Sequence, residues 1–125
     1  MIQSNKTILL IDDDVDFLFL LKETLESNYF KCLVASNAEE GIDLAKKTRP
    51  NLILLDLMLP IMSGYGVIRA LKHTAESQRI PIVALTSLAD EEIAMETIRL
   101  GAVGFLNKSC DAKELINMVS EYAAA

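Results

Sequence analysis

The chain has 125 residues, 51% of them hydrophobic and 24% charged, the size and mix of one globular domain with a real core: too short for two domains and too apolar for a disordered chain. Eighteen acids against twelve Lys plus Arg leave a formal charge of −6, the wrong sign for tracking a phosphate backbone, so no direct nucleic-acid binding is expected. Apolar stretches run only a few residues where a membrane helix needs ~20, and the polar residues 1–7 lack the basic head and cleavage site of a secretory signal, so a cytoplasmic protein with no membrane partner is expected.

In chain order, the run Thr7 to Ile11 predicts a strand buried on both faces. It ends in Asp12, Asp13 and Asp14. Val15, Leu18, Leu21 and Leu25 then step by three and four, the apolar stripe of a helix. Cys32 to Ala35 predicts a second strand, and Ala38, Ile42 and Ala45 a second helix, with Ser36 three residues before Glu39 as its start signal. Leu52 to Leu55 predicts a third strand that ends at Asp56, and Ile68 with Leu71 marks a third helix. Ile80 to Leu85 predicts a fourth strand running out into Thr86 and Ser87. Asp90 starts a fourth helix through Ala94 and Ile98, and Gly101 stops it. Phe105 and Leu106 form a weaker fifth strand ending in Asn107 and Lys108. Asp111, three before Glu114, opens a fifth helix through Leu115, Val119 and Tyr122.

Strand and helix alternate throughout, which implies right-handed crossovers onto a parallel sheet covered on both faces. The expected class is α/β, a flavodoxin-like doubly wound (βα)5 fold with strand order 2-1-3-4-5, forming a single domain over 1–125. Function in such sheets gathers at the carboxyl ends of the strands. Asp12, Asp13, Asp56, Thr86 and Lys108 all fall there. Neighbouring carboxylates raise one another's pKa unless a cation sits among them, and a hard divalent ion suits a small acidic cluster that leaves room for water and a phosphate oxygen. A metal, a lysine and a hydroxyl donor are the parts that phosphoryl transfer uses, with Asp56 as the nucleophile. Cys32 and Cys110 lack metal-ligand spacing and are expected in the core and in a loop, and His73 near the end of the third helix is expected to be solvated.

Four segments, ILLIDDD at 8–14, LILLDLMLPIMSG at 52–64, PIVALTS at 81–87 and GAVGFLNK at 101–108, resemble the receiver domain of bacterial two-component response regulators. The resemblance covers nearly the whole chain. It implies that Asp56 accepts a phosphoryl group from the phosphohistidine of a sensor histidine kinase or phosphotransfer protein, and that the chain is a signalling switch, not a turnover enzyme. It implies that Asp12, Asp13, Asp56 and the backbone carbonyl of Met58 hold Mg2+, that Thr86 and Lys108 contact the phosphoryl group, and that Phe105 follows Thr86 as a switch residue. Output would pass through the face of the fourth helix, fifth strand and fifth helix to an effector protein or a fused output domain, or into a phosphorylation-dependent dimer. No output domain is expected within these residues. Family members usually carry proline after the lysine, often with a cis bond, where this chain has Ser109, so the turn there is either trans or strained. Met58 and Leu88, at the positions flanking the opening over the phosphoryl group, are both apolar, which implies a long-lived phosphorylated form.

Two other readings fit parts of the pattern. Asp12, Asp14, Asp16 and Glu23 match calcium-loop spacing, but Phe17 stands where that loop needs glycine. ILLIDDD with IVALTS also echoes haloacid-dehalogenase-type phosphatases, in which Asp12 would be the nucleophile and Asp14 the acid-base partner. That leaves Asp56 without a role.

Overall fold

A computed structural model describes residues 6–87 and 91–123. Five strands, β1 Thr7–Ile11, β2 Lys31–Ala35, β3 Leu52–Asp56, β4 Ile82–Thr86 and β5 Gly104–Asn107, alternate with five helices, α1 Val15–Glu26, α2 Ala38–Thr48, α3 Gly64–Lys72, α4 Glu91–Arg99 and α5 Ala112–Ala123. The strands form one parallel sheet in the expected order β2-β1-β3-β4-β5.

The period of two along each strand divides the core. Leu9, Ile11, Ile53, Leu55, Ile82 and Ala84 point to one face, against Ala38 and Ala45 of α2, Val67, Ile68 and Leu71 of α3, and Ile93 of α4. Ile8, Leu10, Leu52, Leu54, Val83, Leu85 and Leu106 point to the other, against Leu18, Leu21 and Leu25 of α1 and Leu115, Val119 and Ala123 of α5. Every residue of β3 and β4 is buried, which is why both read as unbroken apolar runs. Each fully buried Leu or Ile contributes about 1.5–3 kcal/mol. The edge strand β2 is buried throughout only at Ala35. Cys32 packs against the α1/α5 side of the core, and burial pushes its thiol up to about 12, with Glu26 adding to the shift. Cys110, after β5, is half-buried against the same side.

Several boundaries differ from the sequence expectation. The N-cap of α2 is Asn37, whose side chain accepts the Glu40 N–H at 2.9 Å, one residue beyond Ser36. Ser36 instead donates its backbone N–H to the Glu40 carboxylate at 2.9 Å, so the reciprocal cap exists but is shifted by one. β4 begins at Ile82, because the Ile80 N–H is used in a turn to the Ser77 carbonyl. β5 takes in Gly104 and Asn107 as well as Phe105 and Leu106. The cap at Asp111 is present, accepting the Glu114 N–H at 2.8 Å. Gly101 ends α4 with a φ of +120° that side chains rarely adopt. The starting cap assigned to Asp90 lies outside the described residues. No helix among the described residues is long and apolar enough to cross a membrane.

Candidate functional site

The carboxyl ends of β1, β3, β4 and β5 meet at one rim. Asp12, Asp56 and Thr86 are the buried polar residues there, exposing 1%, 2% and 1% of their surface. Asp56 ends β3 on the same side as Leu52 and Leu54, and therefore faces α1 and α5. The chain turns sharply after each acid. Asp12 Oδ1 accepts the Asp14 N–H at 2.9 Å, and Asp56 Oδ1 accepts the Met58 N–H at 3.0 Å. These two bonds fix the carboxylates before any ligand arrives. Lys108 leaves the end of β5, tied to the sheet by its N–H to the Thr86 carbonyl at 2.9 Å. Its Nζ lies 2.7 Å from Asp12 Oδ2 and 3.4 Å from Asp56 Oδ2.

Burial raises the Asp12 pKa, and the nearby Asp56 charge adds to this, outweighing the lowering by Lys108 and the Asp14 N–H. For Lys108 burial works downward, but the Asp12 and Asp56 carboxylates overcome it and hold the ammonium above its ordinary value. Ligand oxygens of Asp12, Asp13 and Asp56 lie within 4.8 Å of one another. Asp12 Oδ2 is fully buried, and the Lys108 ammonium meets it there. Hard oxygen donors with one such oxygen, and Asp13 open to water, fit a magnesium ion that keeps part of its hydration shell.

The structure thus brings together Asp12, Asp13, Asp56 and Lys108, as expected. Met58 is present through its N–H, and its side chain is 61% exposed. Thr86 is one residue beyond Leu85, the register partner of Asp56. Phe105 pairs with Ala84 and is half-buried on the α2/α3/α4 side, the same side of the sheet as Thr86 by strand alternation. The two switch candidates are therefore diagonal neighbours on one face. Leu88 lies outside the described residues. His73 is exposed at the C-cap of α3.

No cis peptide bond occurs among the described residues, so the Lys108–Ser109 bond is trans. Asn107 holds this turn, its Oδ1 accepting the Ser109 N–H at 2.8 Å and the Ser109 hydroxyl at 2.7 Å. The calcium-loop reading gives way, because Asp14 caps α1 by accepting the Phe17 N–H and Asp16 is an exposed residue of its first turn.

Three contributors carried no assignment in the sequence. A Cβ at Gly64 would lie 2.5 Å from Leu57 Cα and 2.7 Å from Asp56 O, so only glycine lets α3 approach the backbone of Asp56. The signal was there, since Gly64 closes the second matching segment. Asn107 and Phe17 gave none, because what they touch is set by the turn and by tertiary packing.

A doubly wound sheet with a buried strand-end aspartate, two further acids and a lysine at its carboxyl rim defines an acidic-pocket α/β domain. The model of the response regulator receiver domain matches residues 8–120, and the chain belongs to that family, which also replaces the haloacid-dehalogenase alternative. It is 35% identical to an uncharacterized 14.6 kDa protein in the sodA1 3′ region of Leptolyngbya boryana, over 94% of this chain and 90% of that one. It is 33% identical to the phosphate regulon transcriptional regulatory protein PhoB of Pseudomonas aeruginosa, over 89% of this chain but only 48% of that one. The receiver domain of the sensor histidine kinase PA1611 of Pseudomonas aeruginosa, solved with a magnesium ion coordinated in its active-site cleft, superimposes with a TM-score of 0.89 at 23% identity, covering 98% of this chain and 100% of that one.

Proposed function

We propose that this receiver is a phosphoacceptor switch in which Asp56 takes a phosphoryl group from the phosphohistidine of a sensor histidine kinase or phosphotransfer protein. The observation that carries the reading is the Lys108 ammonium held between two buried carboxylates beside the exposed acid Asp13. In the reaction an Asp56 oxygen attacks phosphorus, the P–N bond of the donor breaks, its electron pair leaves with the imidazole nitrogen, which takes up a proton, and an acyl phosphate forms on Asp56.

Lys108 is already close enough to turn from Asp12 toward the incoming oxygens and balance their charge. The buried Thr86 hydroxyl donates to one phosphoryl oxygen. Asp12, Asp13, Asp56 and the Met58 carbonyl would hold Mg2+, which supplies charge neutralisation on the transferring group. The chain catalyses only its own phosphorylation and dephosphorylation. As Thr86 shifts, Phe105 moves inward on the face they share, which alters α4, β5 and α5 and so the affinity for an effector protein, a fused output domain or a second copy. The setting is the cytoplasm.

Acetyl phosphate or phosphoramidate with Mg2+ should label the wild-type chain, and EDTA or Asp56→Asn should abolish labelling. Undiminished, acid-stable labelling of that variant would sink the reading. Met58→Asn should shorten the phosphoryl lifetime, because an amide beside Asp56 can orient the attacking water where the thioether cannot. An unchanged lifetime would show that access is controlled elsewhere.

A further inference from the structure

The Lys108 ammonium has a third neighbour. It lies 4.7 Å from the ring centroid of Phe17, inside the ≈ 6 Å range of cation–π attraction. Phe17 is in the first turn of α1, where its N–H donates to the capping Asp14 at 3.1 Å, so the turn that follows Asp12 also sets the position of the ring. The ring is half-buried against the α1/α5 side of the core. We propose that Phe17 is a positioning residue for Lys108, keeping its ammonium over the aspartate pair so that it is in place when a phosphoryl group arrives. This rests on the phosphoacceptor reading.

Three observations support the assignment. First, the Lys108 backbone is fixed by Thr86 and by the Asn107–Ser109 turn, its ammonium is drawn to Asp12 and Asp56, and the Phe17 ring meets that same ammonium from α1. Second, a cavity of about 140 Å³ between α1 and α5 is bordered by Phe17, Leu21, Lys108, Cys110 and Leu115. A smaller side chain at position 17 enlarges it and offers the stem an outward path away from Asp56. Third, the ring is neutral. It attracts the ammonium without competing for it as an anion would, so Lys108 can swing from Asp12, 2.7 Å away, to a phosphoryl oxygen while staying over the same face.

The test compares Phe17→Leu, which removes the π face, with Phe17→Tyr, which keeps it. In wild type and Phe17→Tyr, ring current should move the Lys108 ε-methylene proton resonances upfield, and in Phe17→Leu that shift should vanish. With Mg2+ and acetyl phosphate, Phe17→Leu should phosphorylate about two- to fivefold more slowly and Phe17→Tyr at the wild-type rate. In a Lys108→Met background the Phe17→Leu change should have no further effect, since a merely structural loss would persist there. Equal rates for wild type and Phe17→Leu, a loss in Phe17→Tyr as large as in Phe17→Leu, or unshifted Lys108 resonances in wild type would each overturn the positioning role and leave the phosphoacceptor reading standing. A wild-type chain that takes up no phosphoryl group overturns both.

Discussion

Two partly buried lysines sit at opposite ends of the same sheet, and burial works to lower the pKa of each. At the carboxyl end, Lys108 faces two carboxylates, which reverse the effect and raise it. At the amino end, Lys72 closes α3 and donates to the backbone carbonyls of Gln78 at 3.0 Å and Ile80 at 2.9 Å. Dipoles do not replace the lost hydration, so its pKa falls. The contrast separates two uses of a cation. Neutral carbonyls hold Lys72 as a staple between α3 and the segment entering β4, whereas Lys108 balances charges that a ligand can redistribute.

The largest difference is expected when each lysine is removed in turn. Lys108→Ala should lower the rate of phosphorylation by about a hundred- to a thousandfold, the usual cost of losing one preorganised charge partner, and Lys72→Met should leave that rate unchanged. Phosphorylation rates with a small donor check both, and comparable losses would erase the distinction.

Next comes the glycine that abuts the staple. Gly101 has a φ of +120°, and a Cβ there would lie 3.1 Å from Lys72 Cγ. Gly101→Ala should destabilise the fold by about 1–3 kcal/mol, read by urea unfolding, again with phosphorylation intact. A neutral result would mean that this turn relaxes without strain.

Lys72→Met removes the donor for two carbonyls that water can partly reach, and should cost about 1 kcal/mol. The smallest effect is its pH dependence. Because folding lowers the Lys72 pKa below its ordinary 10.5, the burial penalty is fully present at neutral pH and is relieved as pH rises from the folded value towards 10.5, while the neutral amine still donates. The stability advantage of wild type over Lys72→Met should therefore grow over that alkaline interval. Lys108 has the opposite sign, since its raised pKa means that its stabilisation is fully present below 10.5 and is lost as pH rises from there through the folded value. Parallel pH profiles for the two lysines would contradict the comparison.

The sequence shows the fold and the charged rim more clearly than it shows their supports. Buried strands such as Leu52–Asp56 announce themselves because both faces are apolar, and the acids stand out because they interrupt those runs. Boundaries blurred where neighbouring residues could do the same work: Ser36 and Asn37 are both competent caps, and Ile80 is as apolar as Ile82 but its N–H closes a turn. Nothing local in the sequence says that the Lys72 ammonium reaches Gln78 and Ile80. Phe17 entered the sequence reading only as the residue that breaks the calcium-loop pattern, and its contact with Lys108 exists only once α1 and the end of β5 are side by side. Local pattern encodes elements and candidate groups, whereas partners across the fold need coordinates.

The central claim, that the charge at the carboxyl rim serves a phosphoryl group on Asp56, is tested most directly by locating that group. The wild-type chain would be treated with acetyl phosphate and Mg2+, the acyl phosphate reduced with borohydride, and the peptides mapped by mass spectrometry. Homoserine at position 56, absent without the donor or the metal, is the predicted result. Homoserine at Asp12 or Asp13 instead, or label found only as an acid-stable ester on a hydroxyl, would contradict it.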